Sequence, residues 1–125
     1  MHMVCSELLI GLRVLVLDDQ YYIADDTRSA LEAAGAMVLG PFSAVVQVLN
    51  QIKVGRPDCA VLDINLGNGP NFQAAEVLAD LDVPFVFLTG YDATAIPVAF
   101  SARPHLQKPL QKQAIIDVVA KLCGR

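Results

Sequence analysis

Short apolar runs rich in β-branched residues alternate along the chain with longer stretches whose apolar residues recur every three to four positions. The run RVLVLDD (13–19) is apolar without alternation, which predicts a strand buried on both faces of a sheet. From Gln20 to Ala34 the spacing of Ile23, Ala30, Leu31 and Ala34 predicts a helix, with Gly35 as its stop. AMVLG (36–40) predicts a short second strand. Residues 43–55 predict a helix with Ser43 as N-cap and Val45, Val46, Leu49 and Ile52 as its apolar stripe. DCAVLDI (58–64) predicts a third strand, 71–81 a helix that Asn71 caps, and VPFVFLTG (83–90) a fourth strand. Pro97 and Pro104 leave any helix within 91–104 short, distorted or absent. HLQK (105–108) predicts a brief fifth strand, and 110–124 a closing helix with Ile115, Val118, Val119 and Leu122 on one face.

Strands alternating with helices imply an α/β fold, with a parallel sheet, right-handed crossovers and helices on both faces. In such open sheets ligands bind beyond the carboxyl ends of the strands, where strand order reverses. The length, 125 residues, suits one domain with a single sizeable core. Residues 12–125 form the expected domain, and 1–11 an N-terminal extension whose MHM start has the look of a cloning scar. Apolar residues make up 54% of the chain, yet no apolar run approaches the ~20 residues of a membrane span. The N-terminus lacks the basic front and cleavage site of a signal peptide. Cys5, Cys59 and Cys123 are far apart and without metal-ligand spacing, which suits free thiols in a reducing cytosol. A net charge of −4 argues against direct nucleic-acid binding. The expectation is a cytoplasmic domain that meets neither membrane nor nucleic acid.

The carboxyl ends of the predicted strands collect an unusual set. Strand one ends in Asp18 and Asp19, strand three in Asp63, strand four in Thr89 and strand five in Lys108. Three acids on one edge repel one another and raise carboxylate pKa values unless a cation intervenes, and Lys108 alone does not balance them. Mg²⁺ would, taking oxygen ligands at ~2.1 Å from carboxylates and from a main-chain carbonyl such as that of Asn65. Its commonest use is phosphoryl transfer, in which a carboxylate can itself be the nucleophile. Thr89 and Lys108 would then bind the remaining phosphoryl oxygens. Each residue has a plainer reading alone: an Asp pair that turns the chain or caps a helix, an Asp before Gly and Asn as a turn former, a Lys-Pro helix entry. The shared edge favours chemistry.

LVLDDQ, AVLDINLGNG, FVFLTGY and LQKPL together resemble, in order and strand context, the response-regulator receiver domains of two-component signalling, over about residues 12–123. The resemblance implies a flavodoxin-like doubly wound (βα)5 fold with strand order 2-1-3-4-5. It implies Asp63 as phosphoacceptor, and Asp18, Asp19, Asp63 and the Asn65 carbonyl as ligands of Mg²⁺, or of Mn²⁺ in its place. Thr89 and Lys108 would bind the phosphoryl group, and Thr89 would be a switch residue. The implied partners are a histidine kinase or histidine phosphotransfer protein and a downstream protein target. FLTGY further resembles the group named for a Phe-Ala-Thr-Gly-Tyr motif, with Leu88 in place of its Ala. With no output domain in view, the chain reads as a free-standing regulator, a shuttle, or a receiver cut from a hybrid kinase.

Several positions depart from the family pattern or carry two readings. His105 stands where receivers have an aromatic switch residue; it reads as an exposed strand histidine or as a pH-sensitive switch. The Pro-broken 92–104 segment is shorter than a usual fourth helix, the element used in the common receiver dimer, so a monomer or weak dimer is expected. Gly90 leaves room for a bulky phosphohistidine donor, and Tyr91 either shields the phosphoryl group or packs on the surface. Ile23 is a core residue or an anchor for a kinase helix, and Pro109 lies beside the site as a second docking candidate. Two rival functions share the fold. A haloacid-dehalogenase-like phosphatase needs a second acid where Asn65 stands, and a flavodoxin-like nucleotide binder needs a Gly-rich loop after strand one.

Overall fold

Side chains along a strand point alternately to two faces, and here both faces are apolar. In the computed structural model, which describes residues 8–66, 71–90 and 96–125, the strands are β1 (Arg13–Leu17), β2 (Met37–Phe42), β3 (Cys59–Asp63), β4 (Phe85–Thr89) and β5 (His105–Gln107). They form one parallel sheet in the order β2-β1-β3-β4-β5, the flavodoxin-like order expected. Helices α1 (Tyr21–Ala33) and α4 (Lys112–Leu122) cover one face, and α2 (Val45–Val54) and α3 (Gln73–Asp80) the other. Val14, Val16, Cys59, Val61, Val86 and Leu88 pack under α1 and α4 with Leu31, Ile115 and Val119. Their strand neighbours Leu15, Leu17, Ala60, Leu62, Phe85 and Phe87 pack against Val48, Ala75 and Leu78. Burial on both sides explains the unbroken apolar runs. Cys59 is buried and Cys123 half-buried, and neither forms a disulfide.

The helix ends correct one expectation. Ser43 does not cap α2; Gln47 reaches back instead, its Oε1 accepting the backbone N–H groups of Ser43 at 2.9 Å and Ala44 at 3.1 Å. A side chain from the first turn thus satisfies the N–H groups just ahead of the helix, the reciprocal half of a capping box. Asn71 does act at the start of α3, its Oδ1 accepting the Gln73 N–H at 2.9 Å. Leu9 is fully buried in the α1/α4 core, and its N–H donates to the Ala34 carbonyl at 2.8 Å. The packed body therefore takes in Leu9, ahead of the boundary expected at residue 12.

The second strand also runs on past its predicted end. The sequence predicts its end at Gly40, yet β2 continues to Phe42 across a register shift against β1. Gly40 makes this passable: its φ is +105°, and a Cβ there would stand 2.6 Å from Phe42 N. Pro41 is tolerated because β2 is an edge strand. The continuation places the Phe42 carbonyl 2.9 Å from the Asp18 N–H, so the edge strand fixes the backbone where the acidic pair begins.

After β4, the described part of the segment holds no α-helix, only a 3₁₀ turn at Val98–Phe100. Phe100 anchors it. Its ring lies 5.8–6.2 Å from those of Phe72, Phe85 and Phe87, in edge and stacked contacts, and Arg103 covers Phe85 at 4.4 Å. The anchoring predicts that Phe100→Ala lowers unfolding stability by roughly 3 kcal/mol. Val98→Ala, at an 89% exposed neighbour, should stay within about 0.5 kcal/mol. Urea unfolding of both variants checks the pair, and equal losses would show that the turn is not pinned through Phe100.

Candidate functional site: an acidic cluster held by one lysine

Strand parity determines which side chains meet at the carboxyl edge. Asp18 continues the Val14 and Val16 positions of β1, Asp63 those of Cys59 and Val61, and Lys108 follows Leu106, so all three extend the α1/α4 face. Register aligns them: Leu17 pairs with Leu62, Asp63 with Leu88 and Thr89 with Gln107, and the Lys108 N–H donates to the Thr89 carbonyl at 2.8 Å. Lys108 Nζ consequently stands 3.1 Å from Asp63 Oδ2 and 3.1 Å from Asp18 Oδ2. Asp18 and Asp63 are 2% and 4% exposed, whereas Asp19 is exposed. One carboxylate oxygen from each of Asp18, Asp19 and Asp63 lies within 4.8 Å of the others.

The two buried carboxylates are unequally satisfied. Asp63 Oδ1 accepts the Asn65 N–H at 3.1 Å, and Asp18 Oδ1 accepts the Gln20 N–H at 2.9 Å. Asp18 Oδ2, buried, accepts no hydrogen bond despite the nearby ammonium. A buried acceptor without a donor costs free energy. A divalent cation would relieve it, and the donor set, hard oxygens from three acids, fits Mg²⁺. Burial, and next the charge of Asp18, push the Asp63 carboxyl up to about 6, while Lys108 pulls it down.

The other expected residues lie where their elements put them. Thr89 falls on the parity of Phe85 and Phe87, facing α2 and α3; it is buried, and its hydroxyl donates to the Leu106 carbonyl at 3.4 Å rather than to the acidic cluster. Asn65 is exposed just beyond β3, and Gly90 borders the site with open space where a Cβ would be. His105 is exposed at the start of β5. Tyr91 lies outside the described residues. Ile23 is half-buried and Pro109 exposed; they line one groove of about 110 Å³ between α1 and the start of α4, with Thr27 and Ile115. The sequence reading missed Gln20, whose Oε1 accepts from Lys108 Nζ at 2.5 Å. The available signal was a glutamine at a helix N-cap, a position that favours Ser, Thr, Asp or Asn.

This arrangement matches known proteins over nearly its whole length. A family model, the response regulator receiver domain, matches residues 14–120. The chain belongs to that family. It is 30% identical over 114 residues to the sensory transduction protein LytT of Bacillus cereus, covering 88% of this chain and 46% of that protein. It is 32% identical over 118 residues to an uncharacterized response regulatory protein of Vibrio parahaemolyticus, covering 89% of this chain and 47% of that one. The receiver chain therefore spans about half the length of these relatives. Among solved structures, SdrG from Sphingomonas melonis Fr1 superposes with a TM-score of 0.72 at 31% identity, covering 92% of this chain and 97% of that chain. A response regulator receiver protein from Sinorhizobium medicae gives 0.77 at 26% identity, covering 90% and 94%.

The raised Asp63 pKa has a stability consequence in metal-free buffer. The folded carboxyl titrates near 6 against an ordinary value of 3.8, so the native state binds the proton more tightly than the unfolded chain. Stability attached to this group is present below about pH 4 and is lost as pH rises through about 6. Asp63→Asn should therefore be more stable than the parent by roughly 1–2 kcal/mol at pH 7, and no more stable near pH 4. Chemical denaturation at both pH values checks this; an advantage of equal size at pH 4 would remove the electrostatic cause.

Proposed function

We propose that this receiver domain accepts a phosphoryl group on Asp63 from a phosphohistidine of a histidine kinase or histidine phosphotransfer protein. The observation that carries the reading is the meeting of Asp18, Asp63 and Lys108, with Asp19 within ligand reach, on the open edge of the sheet. In the step, an Asp63 carboxylate oxygen forms a bond to phosphorus as the phosphorus–nitrogen bond breaks. The electron pair leaves with the imidazole nitrogen, which then takes a proton from water. Asp18, Asp19, Asp63 and the Asn65 carbonyl would hold Mg²⁺, or Mn²⁺, which supplies charge neutralisation at the equatorial oxygens. Lys108 neutralises the acceptor before transfer and a phosphoryl oxygen after it.

Thr89 would exchange the Leu106 carbonyl for a phosphoryl oxygen, moving the β4–β5 edge and changing a protein-binding surface by population shift. The half-buried Ile23 and exposed Pro109 flank the groove beside this edge, which suits a partner helix. Asn65 offers no acid to protonate a leaving group, which supports a signalling role over phosphatase turnover. The setting in this reading is the cytoplasm; among the described residues no helix is long and apolar enough to cross a membrane. Since the chain spans about half the length of its curated relatives, a free-standing regulator and a module of a larger protein, including a hybrid kinase, both fit.

A small-molecule phosphodonor with Mg²⁺ should add one phosphoryl mass to the protein, and chelation of the metal or Asp63→Asn should abolish the gain. Intact-mass spectrometry reads this directly. No gain in the parent, or an undiminished gain in the Asn variant, would overturn the assignment.

A further inference from the structure

The residue that α1 spends at its N-cap does not cap it. Gln20 is exposed, its side chain makes no hydrogen bond to the first turn, and its Oε1 instead accepts from Lys108 Nζ at 2.5 Å. A local preference set aside in this way marks a side chain held for another purpose. The ammonium has three N–H donors and no acceptor. Its neighbours are three groups: Asp63 at 3.1 Å, Asp18 at 3.1 and 3.3 Å, and Gln20. Every donor therefore has a partner, and two of the partners are anions.

We infer that Gln20 is a positioning residue for Lys108, holding the ammonium's outward N–H on the exposed side of the site until a phosphoryl oxygen replaces the amide. The inference rests on the reading of Asp63 as phosphoacceptor. Its physical basis is the ranking of the three acceptors. The charged donor bonds to all three, but a carboxylate or phosphoryl oxygen adds direct charge attraction that a neutral amide lacks, so an arriving anionic oxygen displaces the amide and leaves Asp18 and Asp63 bound. Gln20 thereby keeps a long, flexible side chain ordered at rest through the partner that is easiest to give up. A carboxylate at position 20 would hold the lysine as firmly but would not release it. A methyl group there would leave the third N–H to water and the chain free to change rotamer.

Two substitutions separate grip from release, and neither touches the core. In Gln20→Ala, carbon relaxation at Lys108 Cε should show a more mobile side chain. Phosphorylation by a small-molecule donor with Mg²⁺ should slow by roughly three- to tenfold, the factor one net hydrogen bond carries. In Gln20→Glu, Lys108 should stay as ordered as in the parent while phosphorylation slows by more than about tenfold, the amide having become a competing charge. A purely structural role for Gln20 would not dissociate the two readouts. Unchanged Lys108 relaxation in the Ala variant, a phosphorylation rate at or above the parent's, or parental rates in the Glu variant would overturn the inference. A parent that takes up no phosphoryl group would overturn the Asp63 reading, while the relaxation of Lys108 would still report whether Gln20 grips it.

Discussion

Crowding of like charge at the end of a hydrophobic sheet is the constraint on which the rest of the site depends. Asp18 and Asp63 are brought together by register and parity, and each is nearly sealed from solvent. Two buried carboxylates at such range do not both ionise without a counter-charge. Lys108 supplies one, yet leaves Asp18 Oδ2 without a hydrogen bond and the Asp63 carboxyl titrating near neutrality. The cluster is therefore short of positive charge, a deficit that a divalent cation would fill.

The scaffold is arranged to hold that tension in place. β1 and β3 lie at the centre of the sheet, buried on both faces, so the acids stand on the least deformable backbone available. Asp18 is fixed further by the Phe42 carbonyl, which reaches it only because Gly40 lets the edge strand bulge past Pro41. Lys108 sits at the far end of a three-residue strand, joined to β4 through the Thr89 carbonyl. The acids thus stand on interior strands and the cation follows an edge strand.

The two apolar faces and the gathering of Asp18, Asp63 and Lys108 were legible from the unbroken apolar runs and from the rule that such sheets act at their carboxyl edge, and the strand order from the resemblance to receiver domains. The extent of β2 was not, since the Gly40–Pro41 pair reads as a stop, and only the positive φ at Gly40 turns it into a bulge. Ser43 failed as a cap because the helix begins one residue later, with Ala44 at its N-cap, and the Ser43 hydroxyl turns to Gln47 Oε1. The partnership of Gln20 with Lys108 joins residues distant in sequence, and no local pattern signals it beyond an unsuitable residue at an N-cap. Phe100 was hidden for a related reason: helical periodicity is the usual guide to burial, and this residue is buried from a 3₁₀ turn.

Thr89 belongs to the opposite layer from the residues it is grouped with. The sheet acts as a partition, with the charged cluster continuing one side and this hydroxyl starting on the other, bonded to the Leu106 carbonyl. A side chain so placed can answer an event at Asp63 only by rotating around the sheet's rim, and in doing so it abandons a backbone acceptor on β5. That carbonyl stays paired all the same, because the register that sets Thr89 opposite Gln107 also gives it the Thr89 N–H. Any message passed by Thr89 would accordingly be a transaction between two layers, costing one long hydroxyl contact and leaving the ladder to the outermost strand unbroken.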